Sequence, residues 1–192
     1  MEAIGGVLSA FGLAASAGLN AYVPLLIVAL VARFTDWIKL GATWEPLTSG
    51  WVIAALLVLG LVEFFADKVP AVNHANDLVQ TFVRPAAGAV LFAASTNVVT
   101  DIHPVVAMVA GLLVAGGVHL AKSAAIRPAV SVTPGGVANV PVSIAEDLLA
   151  TILSILAVVV PVVVAVVLIL LTAFVIWLIW RRARHSPEAQ GG

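Results

Sequence analysis

The chain of 192 residues is 62% apolar and 10% charged, with nine basic and ten acidic residues for a net charge of -1; its mean hydropathy is +1.15. Soluble domains carry roughly 45–50% apolar and about 25% charged residues, so a water-soluble monomer and a disordered chain are both excluded. The missing basic field excludes nucleic acid as a partner, and the absence of cysteine removes disulfides, thiolate metal sites and cysteine nucleophiles. What remains is an all-α integral membrane protein whose partner is the lipid bilayer.

The apolar segments in chain order are Ile4–Arg33, Trp51–Ala66, Ala86–Thr100, Pro104–Ala125 and Ser143–Trp180. The first has no basic residue ahead of it and runs on without a break in hydropathy, so it is expected to be a retained span rather than a leader. Thr35–Gly50 is polar and carries Trp37 and Trp44, with Trp51 just beyond, and reads as an interfacial loop. A helix rises about 1.5 Å per residue, and crossing the hydrocarbon takes ~20 residues. Trp51–Ala66 and Ala86–Thr100 are shorter than this, and Ser143–Trp180 is far longer. Pro161, near the middle of that last segment, marks either a tight turn between two spans or the kink of one long helix. The expectation is therefore five or six transmembrane helices, with short re-entrant or interfacial helices between them. They form one domain over 1–185, followed by a disordered cytoplasmic tail over 186–192. A six-span arrangement puts Lys68, Arg84, Lys122, Arg127, Arg181, Arg182 and Arg184 inside and Arg33 and Lys39 outside, as the positive-inside rule prefers. That places the C-terminus in the cytoplasm.

Nine of the nineteen charged residues lie in two blocks, Gly60–Ala89 and Gly116–Ala150. In the first, Glu63 and Asp67 share a helix face, and Glu63 sits at the end of a segment too short to span. An ionisable group there costs a few kcal/mol (about 2.5–3.5 for Asp on insertion scales) and faces a partner or a watery cavity. Beyond Pro70, the residues Asn73, Asp77, Thr81 and Arg84 form a polar stripe, predicted as a short interfacial or re-entrant helix over Asn73–Arg84. In the second block His119 and Lys122 share a face, and Arg127-Pro128 is predicted to stop the helix. A turn-rich stretch through Thr133-Pro134-Gly135-Gly136 and Asn139 follows. Ser143-x-x-Glu146, with Asp147, reads as a capping box at the next helix start. Gly18-Leu-Asn20-Ala-Tyr-Val-Pro24 faintly echoes Gly136-Val-Ala-Asn139-Val-Pro141, placing a Gly/Pro-interrupted segment in each half, as at the binding sites of inverted-repeat transporters.

Three chemistries compete for these residues. A metal site would draw on Glu63, His74, Asp77 and His119, but no HExxH or HxxxH pair fixes a geometry. Lys122-x4-Arg127-Pro128 is similar to the lysine-to-Arg-Pro signature of lipid-phosphate phosphatases, yet it is two residues short, and the acid-chemistry motif is absent. Clustered acids, histidine and bases beside short or broken helices are the equipment of proton relays and ion pathways.

The strings SAGLNAYVPLL (Ser16–Leu26), EFFADKVPAVNHANDLVQTFVRPAAGA (Glu63–Ala89) and HLAKSAAIRP…SVTPGGVANVPVSIAED (His119–Asp147) resemble a bacterial membrane family, domain of unknown function 4126. Its pattern D-K-x-P-x-V-[DN]-H-x-x-D-x-x-x-T-F-[IV]-R-P-x-A-G falls on Asp67, Lys68, Pro70, Asn73, His74, Asp77, Thr81, Phe82, Arg84, Pro85, Ala87 and Gly88. The resemblance implies which polar residues form the core and assigns no substrate.

The function expected is a small transporter or channel for an ion or small charged solute, possibly proton-coupled, and not an enzyme. Neither a cofactor nor a metal is expected. Its pathway residues are Asn20, Glu63, Asp67, Lys68, Asn73, His74, Asp77, Arg84, His119, Lys122, Arg127, Asn139, Glu146 and Asp147. The rival is a non-transporting scaffold or accessory subunit, its ion pairs fixing helix register. Ala14-x3-Gly18 and the small-residue run Ala110–Gly117 permit close helix approach, either within the chain or in a homo-oligomer.

Overall fold

The computed structural model describes residues 2–68, 70–96, 102–131 and 139–184, which contain helices and no strand. The helices are α1 (Glu2–Leu19), α2 (Tyr22–Phe34), α3 (Gly50–Ala66), α4 (Pro70–Thr96), α5 (Pro104–Ser131), α6 (Asn139–Val159) and α7 (Pro161–Arg184), with a 3-10 turn at Glu45–Thr48 between α2 and α3. Local chemistry sets several of these boundaries. The Ser49 hydroxyl accepts from the Val52 N–H and caps α3, while Pro70, Pro104 and Pro161 each open a helix, where a missing N–H leaves nothing unpaired.

Among the described residues three stretches are long and apolar enough to cross a membrane: Asn76–Thr96, Pro104–Ala124 and Val140–Val159. This corrects the expectation of five or six: α3, with 17 residues, is too short to count, and two further features account for the rest of the difference. Ile4–Arg33 is not one span, because it breaks at Asn20–Ala21 into α1 and α2, each too short to cross alone. At the other end of the chain, Val160 alone separates α6 from α7. Its N–H still bonds the Leu156 carbonyl at 2.7 Å, and the Val163 N–H bonds the Val160 carbonyl at 3.0 Å. An antiparallel helix pair needs a loop of about 2–5 residues, so Pro161 bends the path rather than reversing it. Of the two alternatives for Ser143–Trp180, the kinked helix is the one formed.

Two further expectations are corrected. Asn73–Arg84 is not a separate short helix, but the first half of the 27-residue α4, which continues through Pro85. The proline removes one backbone bond, and packing against α5 offsets that loss. A Cβ on Gly88 would overlap the Ala115 side chain and the Gly111 carbonyl, and one on Gly111 would overlap the Gly88 carbonyl and Phe92. Backbones this close gain dispersion contact along the whole interface. Similarly, α5 runs past Arg127–Pro128 to Ser131, since a proline so near a helix end forfeits little.

Contacts fix the directions of the helices. Ser16 reaches Ala150 and Ser154, and Asn20 reaches Asp147, so α1 and α6 are antiparallel. Arg84 meets His119, and Gly88 meets Gly111, so α4 and α5 are antiparallel too. Arg33 bonds the Thr48 carbonyl while Tyr22 lies at Gly60, which makes α2 and α3 antiparallel. Leu25, Val28 and Ala29 of α2 pack in one buried cluster with Leu13 and Ala17 of α1. In a second cluster, Trp44 from the α2–α3 loop packs on Ala10, Ala14, Phe92, Ala93 and Ala107. The chain after α2 has therefore returned to the end where α1 began. Helices α1 and α2 form a hairpin with its tip at Asn20, which is 2% exposed. One end of the bundle, here the loop end, carries the α2–α3 loop. The hairpin tip and the end of α3 stop at a common depth some way short of the other end.

The small-residue faces serve this internal packing. A Cβ on Gly18 would overlap Ala115 and Val118, and Ala14 and Ala110 belong to the cluster under Trp44.

Candidate functional site

At the depth where the hairpin tip and α3 stop, the buried polar side chains of five helices meet. Counting residues along the three long stretches, Arg84, His119, Lys122, Glu146 and Asp147 lie roughly 3–12 Å inside their ends. Glu63 and Arg84 are each 1% exposed, and Arg84 Nη2 donates to Glu63 Oε1 at 3.0 Å. The same nitrogen is 4.0 Å from Asp67 Oδ2. So Glu63 and Asp67 do share a face, and that face looks at one guanidinium. Asn76 Nδ2 holds the other carboxylate oxygen of Asp67 at 2.6 Å.

On its other side, Arg84 Nη1 is 3.3 Å from His119 Nδ1. Arginine can only donate, so Nδ1 accepts and the ring carries its proton on Nε2. That proton faces Thr81 Oγ1 at 3.3 Å, and the Thr81 hydroxyl in turn donates to the Asp77 carbonyl at 2.8 Å. The line Asp77 carbonyl–Thr81–His119–Arg84–Glu63 is thus a continuous hydrogen-bonded chain.

A second group sits at the hairpin tip. Asn20 Oδ1 accepts from the N–H groups of Tyr22 and Val23, both at 3.0 Å, satisfying donors left open at the start of α2. Its Nδ2 donates to Asp147 Oδ1 at 2.9 Å. Lys122 Nζ pairs with Glu146 Oε2 at 2.5 Å and lies 3.5 Å from the Leu19 carbonyl. There its charge also complements the negative end of the α1 dipole. Lys68 Nζ is 3.8 Å from Asp147 Oδ2, donates to the Phe64 carbonyl at 2.9 Å, and sits 3.0 Å from the centroid of the Phe64 ring. The capping-box expectation for Ser143-x-x-Glu146 is corrected here. The helix begins at Asn139, which leaves Glu146 seven residues inside it and turned to Lys122.

Several buried polar atoms have no hydrogen-bond partner among the described residues, including Glu63 Oε2, Gln80 Oε1, Arg84 Nε, Glu146 Oε1 and Asp147 Oδ2. A cavity of about 410 Å³ lies between α2, α3 and α6, bounded by Val23, Leu26, Leu57, Leu61 and Leu148, with Asn20, Tyr22, Asp147 and Thr151 as its polar lining. Glu63, His119 and Lys122 do not line it. Tyr22 does.

Of the fourteen pathway residues expected from sequence, Asn20, Glu63, Asp67, Lys68, Arg84, His119, Lys122, Glu146 and Asp147 come together. Asp77 contributes its carbonyl to the chain of hydrogen bonds, and its half-buried side chain has an interaction of its own. The side chains of Asn73, His74, Arg127 and Asn139, the loop over 132–138 and the tail over 186–192 lie outside the described residues. Among the described residues, no three His, Asp or Glu side chains are grouped to hold a metal ion. Sequence reasoning missed Tyr22, Asn76 and Gln80. The last two were within reach, because Asn76, Gln80 and Arg84 repeat at steps of four beside the stripe that was chosen.

A family model described as domain of unknown function (DUF4126) matches residues 7–181. The chain belongs to the DUF4126 family. The match extends well beyond Ser16–Asp147 on both sides, taking in most of α1 and all of α7 up to Arg181. No curated protein and no solved structure matches it.

Proposed function

We propose that this DUF4126 protein is a small membrane transporter or channel that moves an ion or small charged solute, with a proton exchanged at Glu63. The observation that carries this reading is a carboxylate 1% exposed, with one oxygen lacking a hydrogen-bond partner among the described residues, on the helix α3 whose Gly60 and Phe64 line a cavity. Asp147, which lines the cavity, is 3.8 Å from Lys68 in the same cluster. Among the described side chains the cluster sets Glu63, Asp67, Glu146 and Asp147 against Lys68, Arg84 and Lys122. The excess of one carboxylate suits a site that takes up a proton or a cation rather than an anion. The hairpin whose broken tip meets this cluster follows the design of transporter sites built on discontinuous helices.

The reading sets the protein in a bacterial cytoplasmic membrane with its C-terminus inside, supported by Trp177, Trp180 and the basic residues Arg181, Arg182 and Arg184. It also assigns the homo-oligomer contact to α7, where every residue from Ile169 to Trp177 is exposed. The scaffold reading draws on one specific observation: Glu63 and Arg84 are sealed against each other, which a register-fixing pair would also be. Flux into proteoliposomes separates the two. Transport requires an ion or solute flux that responds to pH and falls on Glu63→Gln and on Lys122→Ala. If no ion or solute tested moves, and both variants keep the phenotype of the unmodified gene, the transport reading fails.

A further inference from the structure

We propose that the cavity between α2, α3 and α6 binds a lipophilic organic cation, an ammonium or phosphonium charge carried on an apolar body. This rests on the transport reading and names the substrate class for it. At about 410 Å³ the cavity falls in the range of sites for drug-sized ligands, roughly 300–1,000 Å³. Its walls are aliphatic, and the exposed flanks of Leu57, Leu61, Ile144 and Leu148, each between 48% and 58% exposed, open it towards the surroundings of the bundle. A ligand entering from the hydrocarbon therefore meets apolar surface first.

The charge that such a ligand must carry follows from the polar end. Among the described residues that line the cavity, Asp147 is the only carboxylate and none is basic. One of its oxygens is taken by Asn20, while Oδ2 has no hydrogen-bond partner among the described residues. Phe64 and Tyr22 supply aromatic faces beside it. A carboxylate with an aromatic wall in an apolar setting is a recognition site for large, weakly hydrated cations, which gain from both and have little hydration to lose. An anion of the same shape would meet the Asp147 carboxylate at the polar end.

The chain itself already places one ammonium at this corner. Lys68 Nζ lies 3.0 Å from the centroid of the Phe64 ring and 3.8 Å from Asp147 Oδ2, too far to satisfy that oxygen by a hydrogen bond. Lys68 thus acts as a resident competitor. An incoming cation competes with Lys68 for the Asp147 carboxylate, and Lys68 keeps its bond to the Phe64 carbonyl.

Equilibrium dialysis of the full chain in mild detergent against radiolabelled tetraphenylphosphonium tests this, with tetraphenylborate as the probe of equal shape and opposite charge. The expected result is saturable binding of the cation near one per chain and none of the anion. Asp147→Asn, which keeps an acceptor for Asn20, should weaken cation binding at least tenfold. Leu57→Trp, at a half-exposed wall position that leaves the polar cluster untouched, should abolish it by filling the cavity. Lys68→Met should tighten it severalfold by removing the competitor. The absence of saturable cation binding, equal binding of the borate, or weaker binding in Lys68→Met overturns the proposal. Flux that persists in the absence of cation binding removes only the substrate class. Cation binding in a protein whose flux ignores Glu63→Gln removes the transport reading instead.

Discussion

Asn20 and Val160 both interrupt a helix, by different means. At Val160 the cause is covalent: Pro161 has no N–H, the neighbours are valines, and the chain bends while keeping hydrogen bonds on both sides. At Asn20 no proline occupies the break. The chain reverses because one side chain supplies what the backbone loses, accepting from Tyr22 and Val23 and donating to Asp147. A proline break works in any surroundings, whereas the Asn20 break depends on α6 being in place. The same division runs through the whole bundle. Towards the loop end, helices meet through residues with little or no side chain, whereas at the level of the hairpin tip they meet through charges.

Variants should separate these two kinds of region by the size of their effect. The largest is expected for Arg84→Ala, which leaves Glu63 buried without its cation and takes the one guanidinium from beside Asp67. Breaking one partner of a buried pair costs about 3–5 kcal/mol, and SDS titration followed by tryptophan fluorescence should show that loss. Next comes Gly88→Val on the small-residue side. Its new side chain meets backbone at Gly111, which cannot swing aside, so a loss of about 1–3 kcal/mol or more is expected by the same titration. Asn20→Ala removes the acceptor for two first-turn N–H groups and should cost about 1–2 kcal/mol. It should also raise amide hydrogen exchange at Tyr22 and Val23, a local signature that Gly88→Val would not give. Smallest of all is Pro161→Ala, expected to leave stability within about 0.5 kcal/mol, since a proline in the first turn sacrifices no bond. A Pro161→Ala effect as large as that of Asn20→Ala would show that the bend, like the reversal, is held by tertiary contacts.

What the sequence made legible follows the same line. The starts at Pro70, Pro104 and Pro161 and the break near Val160 could be read because proline acts locally. The charged cluster could be read because ionisable groups beside apolar segments have so few places to go. The hairpin at Asn20 could not, although Gly18 and Pro24 marked the segment as interrupted. Its reversal is decided by Asp147, Ala150 and Ser154, more than a hundred residues away. Two proline readings failed in the opposite direction. Pro85 and Pro128 both lie inside helices, Pro85 because the Gly88–Gly111 approach to α5 outweighs a single lost backbone bond and Pro128 because so little helix follows it. Glu146 was legible as a polar residue of the core and misread in its role, since a capping box is a local pattern and Lys122 is a distant partner.

The hairpin has a consequence for the order in which the protein is made. Ser16 lies on α1 and Asn20 just past its end, and their partners on α6 are 127 to 138 residues further on. Neither α1 nor α2 is long enough to hold a transmembrane position alone, and the tip carries polar groups that hydrocarbon cannot satisfy. A nascent chain ending before α6 is therefore expected to leave the tip at the membrane surface, with the hairpin reaching its final depth only when α6 arrives. Because the chain has no cysteine, a single one introduced at Ala21 can report the event. It should react with a water-soluble maleimide in chains truncated before Asn139 and become protected once α6 is present.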